Sequence, residues 1–95
     1  MLCVFSPDAQ ADIEAIWDAG ARIWGIKQAD SYFRQIQYSV QMLCENPLIG
    51  KICDEVRLGY RKYPAGAHVL FYRVGETELE IVRILHQRMD YDRHF

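Results

Sequence analysis

The sequence of 95 residues contains no apolar run that approaches the roughly 20 residues of a membrane-spanning helix. Its first residues lack the basic start and the apolar stretch of a secretory signal peptide, so we expect a cytoplasmic protein with no membrane contact. Internal repeats, linkers and low-complexity stretches are also missing. A chain of this length can form one small domain with a thin core, and we predict a single domain over residues 1–95.

Cysteine is scarce, and its spacing argues against cysteine-based metal sites. Cys3, Cys44 and Cys53 form no Cys-x-x-Cys pair, so we predict no bound metal. Their number is odd and they lie far apart in the sequence. The simplest interpretation is three reduced, mostly buried thiols, and a disulfide is the less favoured alternative.

No complete catalytic motif is present either. The chain has no Ser/His/Asp spacing and no glycine loop that could hold a phosphate. Its net charge is −2, so we do not expect it to bind nucleic acid by itself. We therefore predict a protein without a cofactor that is not an enzyme.

Hydrophobic periodicity predicts a short first strand, Leu2 to Phe5, followed by two helices. Ser6 and Pro7 are typical of a helix start, and Gly25 is typical of a helix end. The second helix should run over about 27–45, antiparallel to the first because the connection is short. The apolar face of the first helix should bury four side chains: Ile13, Ile16, Trp17 and Trp24.

After the helices the pattern predicts three strands, Glu55 to Tyr63, Ala67 to Val74 and Leu79 to His86. The last strand is apolar on both faces for most of its length and should be central. The order β-α-α-β-β-β predicts an α+β fold in which a helical hairpin covers one face of a small, mostly antiparallel sheet. The first strand should join the sheet at its edge or beside the last strand.

Basic side chains of the second half form the one candidate constellation. They could bind an RNA phosphate, with His86 as acid or base, or dock on an acidic protein surface. Arg73 could instead pair with a local acid such as Glu80, and Arg83 could pair within the chain or with a partner. The full set is Arg57, Arg61, Arg73, Arg83, His86, Arg88 and Arg93.

The C-terminal residues also carry a family resemblance. The octet Arg83-Ile84-Leu85-His86-Gln87-Arg88-Met89-Asp90, followed by Arg93-His94-Phe95, resembles the C-terminal signature of ParE toxins. These toxins are one branch of the RelE/ParE superfamily of bacterial toxin–antitoxin systems. The resemblance extends upstream through Ala11-Asp12-Ile13 and Trp24-Gly25, covers nearly all of the chain and implies the fold predicted above.

The resemblance implies a toxin that poisons DNA gyrase through protein–protein binding, by way of the basic residues above. It also implies neutralisation in a hetero-oligomer with a cognate antitoxin, a partly disordered protein whose amphipathic helix could lie along the helical layer. For antitoxin binding we expect five residues, Ile13, Trp17, Trp24, Phe33 and Tyr72.

Two alternatives stay open. The superfamily also contains ribosome-dependent endoribonucleases of the RelE type, and Arg73, Arg83 and His86 could supply the phosphate contacts and the proton transfer. The other alternative is an interaction domain that retained its antitoxin but lost its target.

Overall fold

Two layers make up the structure, a computed structural model that describes all 95 residues: a helical hairpin lies on one face of a five-stranded sheet. This confirms the predicted α+β architecture. Neither helix combines the length and the hydropathy of a membrane-spanning segment. The elements are β1 (Leu2–Phe5), α1 (Pro7–Trp24), α2 (Ile26–Glu45), β2 (Lys51–Ile52), β3 (Tyr60–Ala65), β4 (His68–Val74), β5 (Glu78–His86) and a C-terminal 3₁₀ turn (Tyr91–His94).

The ends of α1 follow from local chemistry. The Ser6 hydroxyl accepts a hydrogen bond from the Ala9 N–H at 3.0 Å and donates one to the Val82 carbonyl at 2.6 Å, so the helix start is fixed to β5. Gly25 has φ 94° and is the only residue between the two helices. A side chain is strained at that φ, which explains why glycine makes so tight a connection possible.

The strand order is β1-β5-β4-β3-β2, with β1 parallel to β5 and every other pair antiparallel. The first strand therefore lies at the edge, beside the last strand, as predicted, and β5 lies inside the sheet. Two residues pair in β2, a strand that the sequence pattern did not reveal because it is too short to show alternation.

The third strand begins later than the pattern predicted. Residues 54–59 form turns, in which Gly59 has φ 84° and donates its N–H to a carboxylate oxygen of Asp54 at 2.9 Å. Pro64 and Ala65, which the pattern left between two predicted strands, lie in β3. Only Arg61 and Lys62 of β3 pair with β2, so Pro64 lies where the outer edge of the sheet is open, a position that tolerates proline.

Apolar side chains cover both faces of the sheet, although the sequence indicated cover on one. The larger core joins the helices to the sheet and includes Ile13, Ile36, Leu43, Leu70, Leu79, Ile81 and Ile84. A smaller core of Cys53, Phe71 and Leu85 lies on the opposite face. Tyr91 and Phe95 of the C-terminal segment pack on it, with ring centroids 4.8 and 5.1 Å from that of Phe71.

Two predictions about side chains are wrong. Cys3 and Cys44 form a disulfide between β1 and α2, with their Cα atoms 5.9 Å apart, and only Cys53 is a free, buried thiol. Nothing in the sequence indicated this pair, because the two cysteines are far apart in the chain and meet only when the fold places β1 against the end of α2. Trp24 is not on the buried face of α1: it is 69% exposed at the helical turn, together with Ile23 and Ile26.

Candidate functional site

A groove lies between α1 and α2 and reaches β1 at one end. Its wider part is a cavity of about 410 Å³ whose lining includes Phe5, Ile13, Phe33, Val40 and Cys44. An adjoining cavity of about 350 Å³ shares Ile13 and Phe33 with it and extends the groove towards the helical turn. We call this continuous depression the helix groove; its floor is mostly apolar.

The second cavity gives the helix groove a polar, acidic end. Trp17 donates its indole N–H to a carboxylate oxygen of Asp30 at 2.9 Å, which ties α1 to α2. Glu14 and Asp18 line the same cavity and are exposed. A charged or polar rim around an apolar floor is the arrangement that suits an amphipathic partner helix.

Three of the five residues predicted to bind an antitoxin line this groove: Ile13, Trp17 and Phe33. The exposed Trp24 lies outside its lining. Tyr72 is fully buried in the core and offers no surface to a partner, which corrects the expectation of a direct contact.

Tyr72 has a structural role instead. Its hydroxyl donates to the Pro47 carbonyl and accepts from the Gly50 N–H, both at 2.8 Å, so it anchors the segment that leaves α2. Burial raises the pKa of this phenol. A Cβ atom on Gly50 would overlap the Tyr72 ring, which explains the glycine at that point.

Arg83 forms an ion pair inside the chain. Its Nε and one Nη each donate to a carboxylate oxygen of Asp12 at 2.8 Å, and the other Nη donates to the His94 carbonyl at 3.3 Å. Asp12 also accepts the Ile84 N–H at 2.9 Å, beyond the end of β1 on the edge of β5. The hydrogen bond to Asp12 raises the pKa of Arg83. Of the two alternatives for Arg83, the structure shows the pair within the chain.

The remaining basic residues do not form one patch. The Arg73 Nε lies 2.8 Å from a Glu80 oxygen, which confirms the predicted local pair. Arg61 donates to the carbonyls of Leu48 and Gly50, and Arg93 lies 3.5 Å from Asp90. Among the basic residues predicted to contact a target, two are exposed and form no ion pair, Arg57 and Arg88.

His86 lies beside a second histidine that the sequence did not connect with it. The rings of His68 and His86, cross-strand partners at the ends of β4 and β5, meet edge to face with centroids 5.3 Å apart. The Tyr32 hydroxyl lies 2.6 Å from Nδ1 of His68. Burial, and then the neighbouring His86, lower the pKa of His68, so its neutral form is favoured.

A family model described as "ParE toxin of type II toxin-antitoxin system, parDE" matches residues 3–91 of this chain. Toxin ParE1 of Mycobacterium tuberculosis is 52% identical over 92 residues, which cover 96% of this chain and 94% of that protein. Toxin ParE1 of Caulobacter vibrioides is 42% identical over 86 residues, which cover 90% of this chain and 88% of that protein.

Solved structures show the same fold. One, described as the chromosomal ParDE toxin–antitoxin system from P. aeruginosa, superimposes with a TM-score of 0.80 at 24% identity and covers 90% of this chain and 95% of that chain. A YoeB/ParE toxin from Agrobacterium tumefaciens superimposes with a TM-score of 0.66 at 19% identity, covering 92% and 99%.

Proposed function

This chain belongs to the ParE toxin family and is the toxin of a ParDE type II toxin–antitoxin system, and from that premise we propose two binding activities for it. The helix groove receives an amphipathic helix of the cognate antitoxin, which neutralises the toxin. The free toxin inhibits DNA gyrase by binding it, without catalysing a reaction itself.

The observation that carries the antitoxin proposal is the helix groove. Its two adjoining cavities, of about 410 and 350 Å³, follow the helix axes and have an apolar floor. A helix that presents apolar residues at positions i, i+3 or i+4, and i+7 fits such a groove. The carboxylates of Glu14, Asp18 and Asp30 surround one end, so the antitoxin helix should carry basic residues there.

The test compares two aromatic residues of α2. Phe33 lines both cavities, whereas Tyr38 lines neither and is 66% exposed. Phe33→Ala should weaken binding of the purified antitoxin by about tenfold or more, as expected for a central aromatic contact. Tyr38→Ala should bind as the wild type does, and equal affinities for the two variants would place the antitoxin elsewhere.

Inhibition of gyrase is tested with purified components. The toxin alone should block supercoiling of relaxed plasmid DNA, and addition of the antitoxin should restore it. The exposed, unpaired Arg57 and Arg88 are the first candidates for the gyrase contact because neither is held in an ion pair. Lys27→Ala, which removes an exposed charge on α2, is the matched control for alanine substitutions of these two arginines. A toxin that stops growth but leaves supercoiling intact has another target.

The paired rings of His68 and His86 favour one second candidate, ribosome-dependent mRNA cleavage. Two imidazoles in contact, with Arg88 beside them in sequence, are groups that can exchange a proton near a phosphate. Primer extension on translated mRNA decides the question: new 5′ ends that vanish in the His86→Gln variant support cleavage, and their absence from the wild-type reaction excludes it.

A further inference from the structure

We propose that the Cys3–Cys44 disulfide is a reversible redox latch on the helix groove, and that the toxin binds its antitoxin more tightly when the latch is closed. The inference rests on the proposed function, because it regulates the site assigned to the antitoxin. Both cysteines pack against the larger core, and neither belongs to the residues proposed to contact gyrase.

The latch lies where it can act on the groove. Cys44, in the last turn of α2, lines the wider cavity, and Cys3 is two residues from Phe5, which lines the same cavity from β1. The two cysteines are 41 residues apart in sequence, yet their Cα atoms are 5.9 Å apart. The disulfide therefore joins two walls of the cavity covalently at one end of the groove.

The element that the latch holds to α2 is hydrogen-bonded to the sheet along one edge only. β1 is a four-residue edge strand that pairs with β5 on one side only. Its first residue, Leu2, is 64% exposed. When the disulfide is reduced, β1 and the last turn of α2 are connected only by packing, and this end of the cavity can change its shape. The disulfide holds the groove in the shape that accepts a helix. Less conformational entropy is then lost on binding, so the oxidised toxin binds the antitoxin more tightly.

The chemistry of closing the latch is thiol–disulfide exchange. The thiolate of one cysteine attacks a small-molecule disulfide, such as oxidised glutathione, and releases one glutathione thiolate. The second cysteine then attacks the mixed disulfide and releases the other. The net reaction converts two protein thiols and one glutathione disulfide into one protein disulfide and two glutathione thiols.

The third cysteine does not compete. Cys3 and Cys44 are both partly exposed, so a small thiol can reach them, whereas Cys53 is fully buried on the opposite face of the sheet. Burial and the nearby Glu55 raise the pKa of the Cys53 thiol, which keeps it protonated and slow to exchange. Exchange should therefore be confined to the latch.

Linkage makes the proposal quantitative. If closing the latch tightens antitoxin binding by a given factor, bound antitoxin must favour the disulfide by the same factor. We expect about fivefold, at the lower end of typical coupling between sites. For a two-electron couple that factor shifts the midpoint potential of the disulfide by about 20 mV towards more negative values in the complex.

The experiment uses the full chain and its full-length cognate antitoxin. The toxin is equilibrated in glutathione buffers of defined potential, the free thiols are counted by alkylation and mass spectrometry, and the dissociation constant is measured at each potential. The double variant Cys3→Ser/Cys44→Ser should show no dependence on potential, and Cys53→Ala should keep the full dependence. Amide hydrogen exchange of residues 2–5 and 40–45, without antitoxin, should be faster in the reduced toxin.

The outcomes separate the latch from the function it regulates. Weaker binding in the reduced toxin, with the matching shift of potential in the complex, supports the latch. Equal dissociation constants in both redox states overturn it and leave the antitoxin groove intact as a proposal. Failure of the antitoxin to bind in either state, or equal binding by Phe33→Ala and wild type, refutes the proposed groove and the latch with it.

Discussion

At the scale of single residues, one carboxylate connects three parts of the chain. Asp12 belongs to α1, its partner Arg83 belongs to β5, and that guanidinium reaches the carbonyl of His94 in the C-terminal turn. The side chains of Arg83 and Asp12 are only 18% and 14% exposed. Removal of the acid would leave a mostly buried positive charge without its partner, and also the Ile84 N–H without its acceptor.

We therefore expect Asp12→Ala to lower the free energy of unfolding by about 2–4 kcal/mol, somewhat less than for a fully buried pair. Glu14→Ala, which removes an exposed acid two residues further along α1, is the matched control and should cost less than about 0.5 kcal/mol. Urea denaturation of the three proteins measures both values. Equal stability of the two variants would show that the Arg83 charge is solvated rather than dependent on Asp12.

His68 should make stability depend on pH. Its pKa is lowered in the folded protein by burial and by His86, so between the folded and unfolded values the unfolded chain binds more protons. The neutral imidazole contributes its full stabilisation above the unfolded value of about 6.5, and that contribution is lost as pH falls towards the lower, folded value. His68→Gln should flatten this part of the curve of unfolding free energy against pH. An unchanged curve would mean that His68 is not the group responsible.

At the scale of elements, the C-terminal turn is part of the fold rather than a free arm. Tyr91 and Phe95 pack on Phe71, and the Lys62 ammonium lies 6.0 Å from the centroid of the Tyr91 ring. This segment covers a face of the sheet that the helices leave open. Any contact that the tail makes with a target must coexist with that packing.

Phe95→Ala should lower the free energy of unfolding by about 1–2 kcal/mol, because it removes aromatic contacts from a partly exposed site. Met89→Ala, which truncates a side chain that is 44% exposed in the same segment, should change it by less than about 0.5 kcal/mol. Thermal unfolding followed by circular dichroism gives the comparison. A Phe95 variant as stable as the wild type would mean that the ring does not support the second core.

Local signals predicted the helices and the position of the first strand well. Ser6, Pro7 and Gly25 mark helix ends through their own backbone preferences, and the apolar periodicity of α2 identifies its buried face. The features that were missed depend on distant residues. The partner of Arg83 is 71 residues away in sequence, and the sequence pattern contains no information about which acid the fold brings to it.

The candidate site was predicted only in part for the same reason. Ile13, Trp17 and Phe33 were expected to bind a partner and do line one groove, whereas Tyr72 has the same aromatic character and lies beneath the surface. Strand alternation could not say which face of β4 the helices would cover. The exposure of Trp24 could not be predicted either, because it depends on how the last residue of α1 lies relative to the start of α2.

At the scale of the whole molecule, the disulfide should add to stability independently of any effect on binding. A link between residues 41 apart removes freedom from the unfolded chain, so reduction should lower the free energy of unfolding by about 2–4 kcal/mol. Denaturation of oxidised and reduced toxin measures this, with Cys53→Ala as a control that keeps the difference. Coincident unfolding curves for the two redox states would contradict it.

The open edge of β3 bears on how the toxin behaves when copies are crowded together. Pro64 stands where a strand from another molecule would have to attach, and proline has no amide hydrogen to offer it. Proline at this position therefore disfavours intermolecular strand pairing at the edge of β3.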